Sequence, residues 1–305
     1  MKANHNLRYH LLAIAVVLIW GCTFVNSKVL LMNGLEAHEI FTFRFLFAYI
    51  CIWFISPRKL WANSWKDELL MVLLGVTGGS LYFVTENEAV RIDYVNNVSF
   101  IVCTAPLLTM LLALAFLKSV KATRNLIIGA VVATLGVALV VFNGHFLLKL
   151  NPLGDFLALC AGLSWAVYSL MLRRVSHYSA VFVTRKVFFY GLISVLPMYF
   201  FRPWKFPLEG FLKPEIWGNL LFLGLVASFA CFILWSWVSK KLGALTASNY
   251  IYLNPVSTVV FSALFLDEHM TLLAYLGSAL ILLGVYLSNH GNPNGAPIKQ
   301  SVIEV

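Results

Sequence analysis

The chain has 305 residues, of which 60% are hydrophobic and only 11% are Asp, Glu, Lys or Arg, with a formal net charge of +9. A soluble domain could not hide that much apolar surface from water, which excludes the class. The positive charge sits largely in short polar joints, where it anchors topology and meets anionic lipid, so a nucleic-acid groove is excluded as well.

Ten apolar stretches follow one another at about 10–31, 38–56, 67–89, 94–117, 124–142, 152–171, 179–201, 215–238, 244–266 and 271–290. Each is near the ~20 residues needed to cross a ~30 Å hydrocarbon core. Stretches such as 126–142 and 272–287 are apolar all round, without the water-facing stripe of a soluble helix. The first stretch is too long for a cleavable signal peptide, lacks a small-residue cleavage site, and is followed by nine more. The predicted fold class is an all-α polytopic membrane protein with ten transmembrane helices.

Orientation follows from the joints. Thirteen Lys and Arg residues, among them Arg8, Arg58, Lys121, Arg173, Arg174, Lys240 and Lys241, fall on the side of the N-terminus. Five, namely Arg91, Lys149, Arg202, Lys205 and Lys213, fall on the other. The positive-inside rule then predicts that both termini are cytoplasmic, with a polar tail over 291–305. The five cysteines have no metal-ligand spacing and sit mostly in apolar stretches, as packing residues do.

A repeat divides the chain. Pro106 matches Pro255 at an offset of 149 residues, which also superposes Gly75 on Gly224, Arg91 on Lys240 and Ser99 on Ser248. Gly129 and Gly136 match Gly277 and Gly284 at 148, Trp20 and Lys28 match Trp165 and Arg173 at 145, and Arg44 matches Arg185 at 141. The predicted halves are 8–142 and 152–290, each of five spans. An odd number makes the second half enter the membrane from the opposite side, giving the inverted-topology repeat of alternating-access carriers.

The residues Trp20–Gly21, the run Arg44-Phe45-Leu46-Phe47-Ala48, and the tails of the two halves carry a family resemblance. Those tails read Pro106, Leu117, Gly129, Gly136 and Asn254-Pro255, Phe265-Leu266-Asp267-Glu268, Gly277, Leu283-Gly284-Val285. Over residues 8–290 the chain resembles the drug/metabolite transporter superfamily, in its EamA-type group. One departure is Lys118-Ser119, standing where the second half has the acidic Glu268. The resemblance implies a carrier of small organic solutes, often an exporter, in the cytoplasmic (inner) membrane of a bacterium. It implies a central cavity lined by the first, third, fourth, sixth, eighth and ninth helices, with the two Gly-rich helices outside that ring. The glycine pairs read as intramolecular packing more readily than as a dimer face, so a monomer is expected over a homodimer.

Polar groups inside apolar spans normally face protein, water or substrate. An outer cluster of Asn26, Lys28, Arg44, Glu86, Asn87, Glu88, Asn96 and Asn97 suggests a gate in which cations and carboxylates pair, with Arg185 in the mirrored position. Glu86 and Glu88 are also the candidates for proton coupling. Nearer mid-span, Trp20, Tyr82, Thr104, Ser164, Trp165, Tyr168, Trp235, Asn249, Tyr250, Tyr252 and Asn254 fall on the expected cavity helices. Aromatic faces and uncharged hydrogen-bonding groups suit a neutral, zwitterionic or aromatic solute; a phosphate ester asks for several buried cations. Pro106 and Pro255 are expected to break the fourth and ninth helices in mid-span and to act as hinges.

Seven histidines spread over loops and helix ends form no His-Glu-x-x-His motif, and there is no Walker motif. No enzyme activity, metal or cofactor is expected; neither is a channel, for want of a filter segment or polar pore stripe. The expected function is a secondary transporter of small amino-acid-like or aromatic metabolites. The alternatives are a multidrug carrier, a nucleotide-sugar or organic-phosphate carrier, and a non-transporting membrane sensor.

Overall fold

The computed structural model describes residues 3–56, 60–93, 95–117, 123–142, 151–257 and 271–290. Within them the chain is helical almost throughout. α1 is Ala3–Met32, α2 Ala37–Ile55, α3 Trp65–Gly75, α4 Leu81–Ile92, α5 Val95–Val102, α6 Ala105–Phe116 and α7 Arg124–Phe142. α8 is Pro152–Met171, α9 Ala180–Val195, α10 Met198–Phe201, α11 Pro214–Leu221, α12 Cys231–Leu242, α13 Ala244–Asn249 and α14 Leu272–Asn289.

Among the described residues, seven helical stretches are long and apolar enough to cross a membrane: Leu7–Met32, Ala37–Ile55, Trp65–Ile92, Val98–Phe116, Pro152–Val175, Ala180–Phe201 and Pro214–Leu242. Two shorter apolar helices cover Arg124–Leu139 and Tyr275–Asn289. The protein is therefore an all-α polytopic membrane protein. Its outer surface fits that solvent, since large side chains such as Leu11, Ile50, Phe54, Leu111, Leu135 and Leu282 are exposed. The second part of the predicted ninth span, the motif at 265–268, Lys118-Ser119 and the tail 291–305 lie outside the described residues.

Helix starts follow from local chemistry. Glu36 and Glu39 form a reciprocal capping box at α2, and Ser64, Asn151 and Ser179 accept the backbone N–H of Asp67, Gly154 and Phe182 to open α3, α8 and α9. α12 ends at Gly243, whose φ of +84° turns the chain sharply into α13 in a conformation that favours glycine.

Packing joins distant parts of the sequence. α1 lies against α12, α3 against α9, α4 against α8, and α7 against α14. The glycines explain the last contact: a Cβ at Gly129 would stand 2.4 Å from the backbone N of Ser288, one at Gly136 2.7 Å from the carbonyl of Gly277, and one at Gly284 2.4 Å from the N of Ala133. These small residues bring α7 and α14 together within one chain. The centre is an aromatic cluster that includes Trp20, Phe41, Phe45, Phe83, Trp165, Phe188, Phe232 and Trp235.

The proline expectation needs correction. The chain is already interrupted before Pro106, because α5 ends at Val102 and Pro106 occupies the first turn of α6, where its missing N–H breaks no helical bond. In the second half a 3-10 turn over Tyr250–Leu253 precedes Asn254 and Pro255. The breaks sit just N-terminal to the prolines.

Candidate functional site

Two widened helical segments shape the middle of the molecule. α3 passes into π-helical turns at Val76–Ser80, where Gly79 departs from helical geometry (φ −121°, ψ −106°), and α11 runs through Phe222–Ala230 into α12. Such turns leave carbonyls free for side chains. Ser164 Oγ of α8 donates to Thr77 O at 2.7 Å, and Trp20 Nε1 of α1 donates to Ala227 O at 2.8 Å. Arg44 Nε of α2 donates to Ser228 Oγ at 2.5 Å. Gly21, beside Trp20, lets α1 approach the residues after the 3-10 turn: a Cβ there would lie 1.6 Å from Ser257 Oγ and 2.7 Å from Asn254 O.

Between these segments is a narrow, partly open cavity of about 30 Å³. Its wall is aromatic. Trp20 meets Trp165 edge to face with ring centroids 5.2 Å apart, Tyr82 lies 5.1 Å from Trp165, and Phe83 and Phe232 complete the box. Arg44 and Glu86 both line it, and the Arg44 guanidinium lies 4.0 Å from the centre of the Phe83 ring. Glu86 accepts a 2.9 Å hydrogen bond from Tyr82. Thr23 and Phe24 of α1, Val102 and Ala105 at the first helix break, and Ile251 and Asn254 at the second close the remaining sides. Trp165 is buried, and its indole N–H has no hydrogen-bond partner among the described residues.

The ends of the helical stretch Trp65–Ile92 are tied differently. At one end Lys186 pairs with Glu68, which also accepts Tyr190 OH and, at 2.6 Å, the N–H of Ala62. Beside it Tyr178 takes the N–H of Asn63 at 2.7 Å and donates to Asp67 Oδ2 at 2.8 Å. Burial pushes the Tyr178 hydroxyl above its ordinary pKa, so it remains a donor to that carboxylate. At the other end Glu88 pairs with Arg91 at 2.7 Å and with Arg202. Nearby, Glu39 Oε1 accepts the N–H of Lys205 at 3.0 Å, which holds the chain after α10 against α2.

Among the residues singled out from sequence, Trp20, Tyr82, Trp165, Asn254, Arg44 and Glu86 meet at the cavity. Tyr168 and Trp235 are fully buried beside the box, 5.1 Å from Trp165 and from Trp20 respectively, and are absent from its lining. Thr104 Oγ1 donates to Ile101 O at 2.6 Å, Asn249 Nδ2 to Asn289 Oδ1 at 2.9 Å, and Tyr250 OH lies 2.5 Å from His10 Nδ1. Tyr252 is buried with its hydroxyl 3.5 Å from Thr134 Oγ1. Lys28 Nζ donates to Val90 O at 2.9 Å instead of to a carboxylate. Arg185 donates to Ser56 O and lies over Trp53, so the mirrored ion pair belongs to its neighbour Lys186. The side chains of Asn96 and Asn97 lie outside those described. Phe24, Phe83, Phe232 and Ile251 were not foreseen; with 24 Phe in the chain, composition does not single out three of them. The Thr77-Gly78-Gly79-Ser80 run was the available signal for the irregular helix.

A model of the EamA-like transporter family matches residues 7–142 and again 152–290. The chain belongs to the EamA-like transporter family. It is thus a drug/metabolite-superfamily secondary transporter of small molecules, with no catalytic role to seek. A transporter of unknown character from Archaeoglobus fulgidus is 25% identical over 93% of this chain and 98% of its own length. A protein of Escherichia coli K12 described as a "probable amino-acid metabolite efflux pump" is 25% identical over 92% of this chain and 94% of its own. One of Streptantibioticus cattleyicolor, described as a "probable terminal-alkyne amino-acid exporter", is 26% identical over 73% and 74%. A solved crystal structure shares the fold of this EamA-like transporter with a TM-score of 0.73, at 18% identity over 92% of this chain and 97% of that one.

Proposed function

We propose that this EamA-like transporter exports small amino-acid-like or aromatic metabolites across the cytoplasmic membrane of a bacterium by alternating access. The observation that carries the reading is the cavity, in which an aromatic box faces one guanidinium, Arg44, and one carboxylate, Glu86. A zwitterion brings a carboxylate for Arg44 and for the indole N–H of Trp165, which has no partner among the described residues, and an ammonium group for Glu86 and the ring faces. Its apolar side chain then fills the space between Trp20, Phe83 and Phe232. Two relatives with names that refer to amino-acid compounds support the same class. A nucleotide sugar or organic phosphate asks for several cations, and Arg44 is the one cationic side chain among the described lining residues.

The architecture we assign has ten membrane helices, halves 8–142 and 152–290 related by an inverted repeat, and cytoplasmic termini. Support comes from irregularities that recur in both halves: the π turns at Val76–Ser80 and Phe222–Ala230, and the breaks before Pro106 and Pro255. In this scheme Glu68–Lys186 closes the cytoplasmic end and Glu88 with Arg202 the outer end, while the two breaks bend. Lys28 and Arg185 hold backbone carbonyls near the two ends, and Glu86 is the group positioned to take a proton if transport is proton-linked.

The test is a panel of solutes against the purified protein, scored by thermal stabilisation. Aromatic and aliphatic amino-acid-like zwitterions are expected to raise the melting temperature saturably. A response confined to sugar nucleotides or organic phosphates would overturn the assignment, and a response confined to lipophilic cations would favour a multidrug carrier.

A further inference from the structure

A second, open groove of about 520 Å³ lies away from the central cavity, where the N-terminal turns of α1, the start of α9 and the end of α12 meet. Three cations surround it: Arg8 from α1 and Lys240 and Lys241 from α12. Arg8 donates to the hydroxyl of Tyr9 at 3.1 Å and Lys240 to Tyr178 O at 3.2 Å. Among the described residues no carboxylate lies within ion-pair distance of Lys240 or Lys241, and both lysines are exposed. The groove also has an apolar side, because Leu12 lines it and Trp237, nearly one helical turn before Lys240, exposes 47% of its surface. Arg173 and Arg174 stand in the 3-10 turn Leu172–Val175, just before Ser179 at the groove's edge, so this is a basic end of the molecule.

We infer that this groove binds an acidic phospholipid, with the phosphate on Arg8, Lys240 and Lys241 and the acyl chains along Leu12 and Trp237. Cations gathered at the end of membrane helices attract anionic headgroups, and an indole beside them suits the level where headgroup meets chain. Free phosphate offers the same charge but leaves the apolar side unused, whereas the bilayer delivers both parts together. The site is independent of which solute the central cavity carries.

The experiment measures lipid retention by native mass spectrometry, and thermal stabilisation, on detergent-purified protein given phosphatidylglycerol, phosphatidylcholine with the same acyl chains, or inorganic phosphate. Phosphatidylglycerol should bind and stabilise most strongly, and K240Q/K241Q should weaken it about 30-fold, from roughly fivefold per lysine. K213Q, an exposed lysine away from the groove, should keep wild-type affinity. Equal binding of the two lipids, or an unchanged K240Q/K241Q protein, would overturn the inference. So would inorganic phosphate displacing phosphatidylglycerol and stabilising the protein as well as the lipid does, since that describes an ion site. If the double variant does not fold, K241Q alone decides, because Lys241 makes no described hydrogen bond or ion pair; about fivefold weakening supports the lipid site and no change refutes it.

Discussion

The helical stretch from Trp65 to Ile92 carries a carboxylate near each end, and the protein ties the two down in different ways. Glu68 and Lys186 are withdrawn from solvent, their side chains 6% and 4% exposed, with Tyr190 and a backbone N–H completing the carboxylate's hydrogen bonds. Glu88 is shared between two arginines whose side chains are 47% and 44% exposed. A buried pair loses its hydration and relies wholly on its partners, so it behaves as an all-or-none lock. A half-exposed pair exchanges readily with water and salt, and either arginine substitutes for the other. One end is therefore tied tightly and the other loosely.

The largest effect is expected from Lys186→Met, which leaves Glu68 charged and unpaired in a buried place. The loss should be about 3–5 kcal/mol, read as a large fall in melting temperature, and Glu68→Gln added to it should recover much of that loss. No recovery would mean that the lysine supports packing and not the pair. Next is Gly21→Ala, whose new Cβ must displace the carbonyl of Asn254, at a cost of about 1–3 kcal/mol in thermal unfolding. Trp165→Phe keeps the aromatic wall and removes one donor, so solute affinity should fall roughly three- to tenfold with little change in melting temperature. The smallest effect is expected at the exposed end: Arg202→Gln should cost less than about 1 kcal/mol, because Arg91 still holds Glu88. A fall as large as that of Lys186→Met would erase the contrast between the two ends.

Length and apolarity made the helices legible, because hydrocarbon leaves so few alternatives for the backbone. What the apolar pattern hides is phase. A uniformly apolar helix shows no stripe, so the breaks at 103–104 and 250–253 and the π turns rotate later side chains by amounts that periodicity cannot follow. That is why Tyr250, Tyr252 and Asn249 turn toward His10, Thr134 and Asn289 while Asn254, just beyond the 3-10 turn, reaches the cavity. Trp20, Trp165, Arg44 and Glu86 stood out because their residue types are costly or large in a span. Arg185 carried the repeat match, whereas its neighbour Lys186 is the one that faces Glu68 and holds the ion pair. Phe24, Phe83, Phe232 and the aliphatic residues of the cavity wall gave no such signal.

The central claim is that solute binds in the cavity between Trp20, Trp165, Arg44 and Glu86 on its way across the membrane. It is tested most directly by counterflow in proteoliposomes, with a labelled aromatic amino-acid-like zwitterion outside and excess unlabelled solute inside. The wild-type protein should show transient, saturable accumulation, and folded Arg44→Gln and Trp165→Ala proteins of normal melting temperature should lose it. Accumulation that persists unchanged in both variants would contradict the claim and move the solute path elsewhere in the molecule.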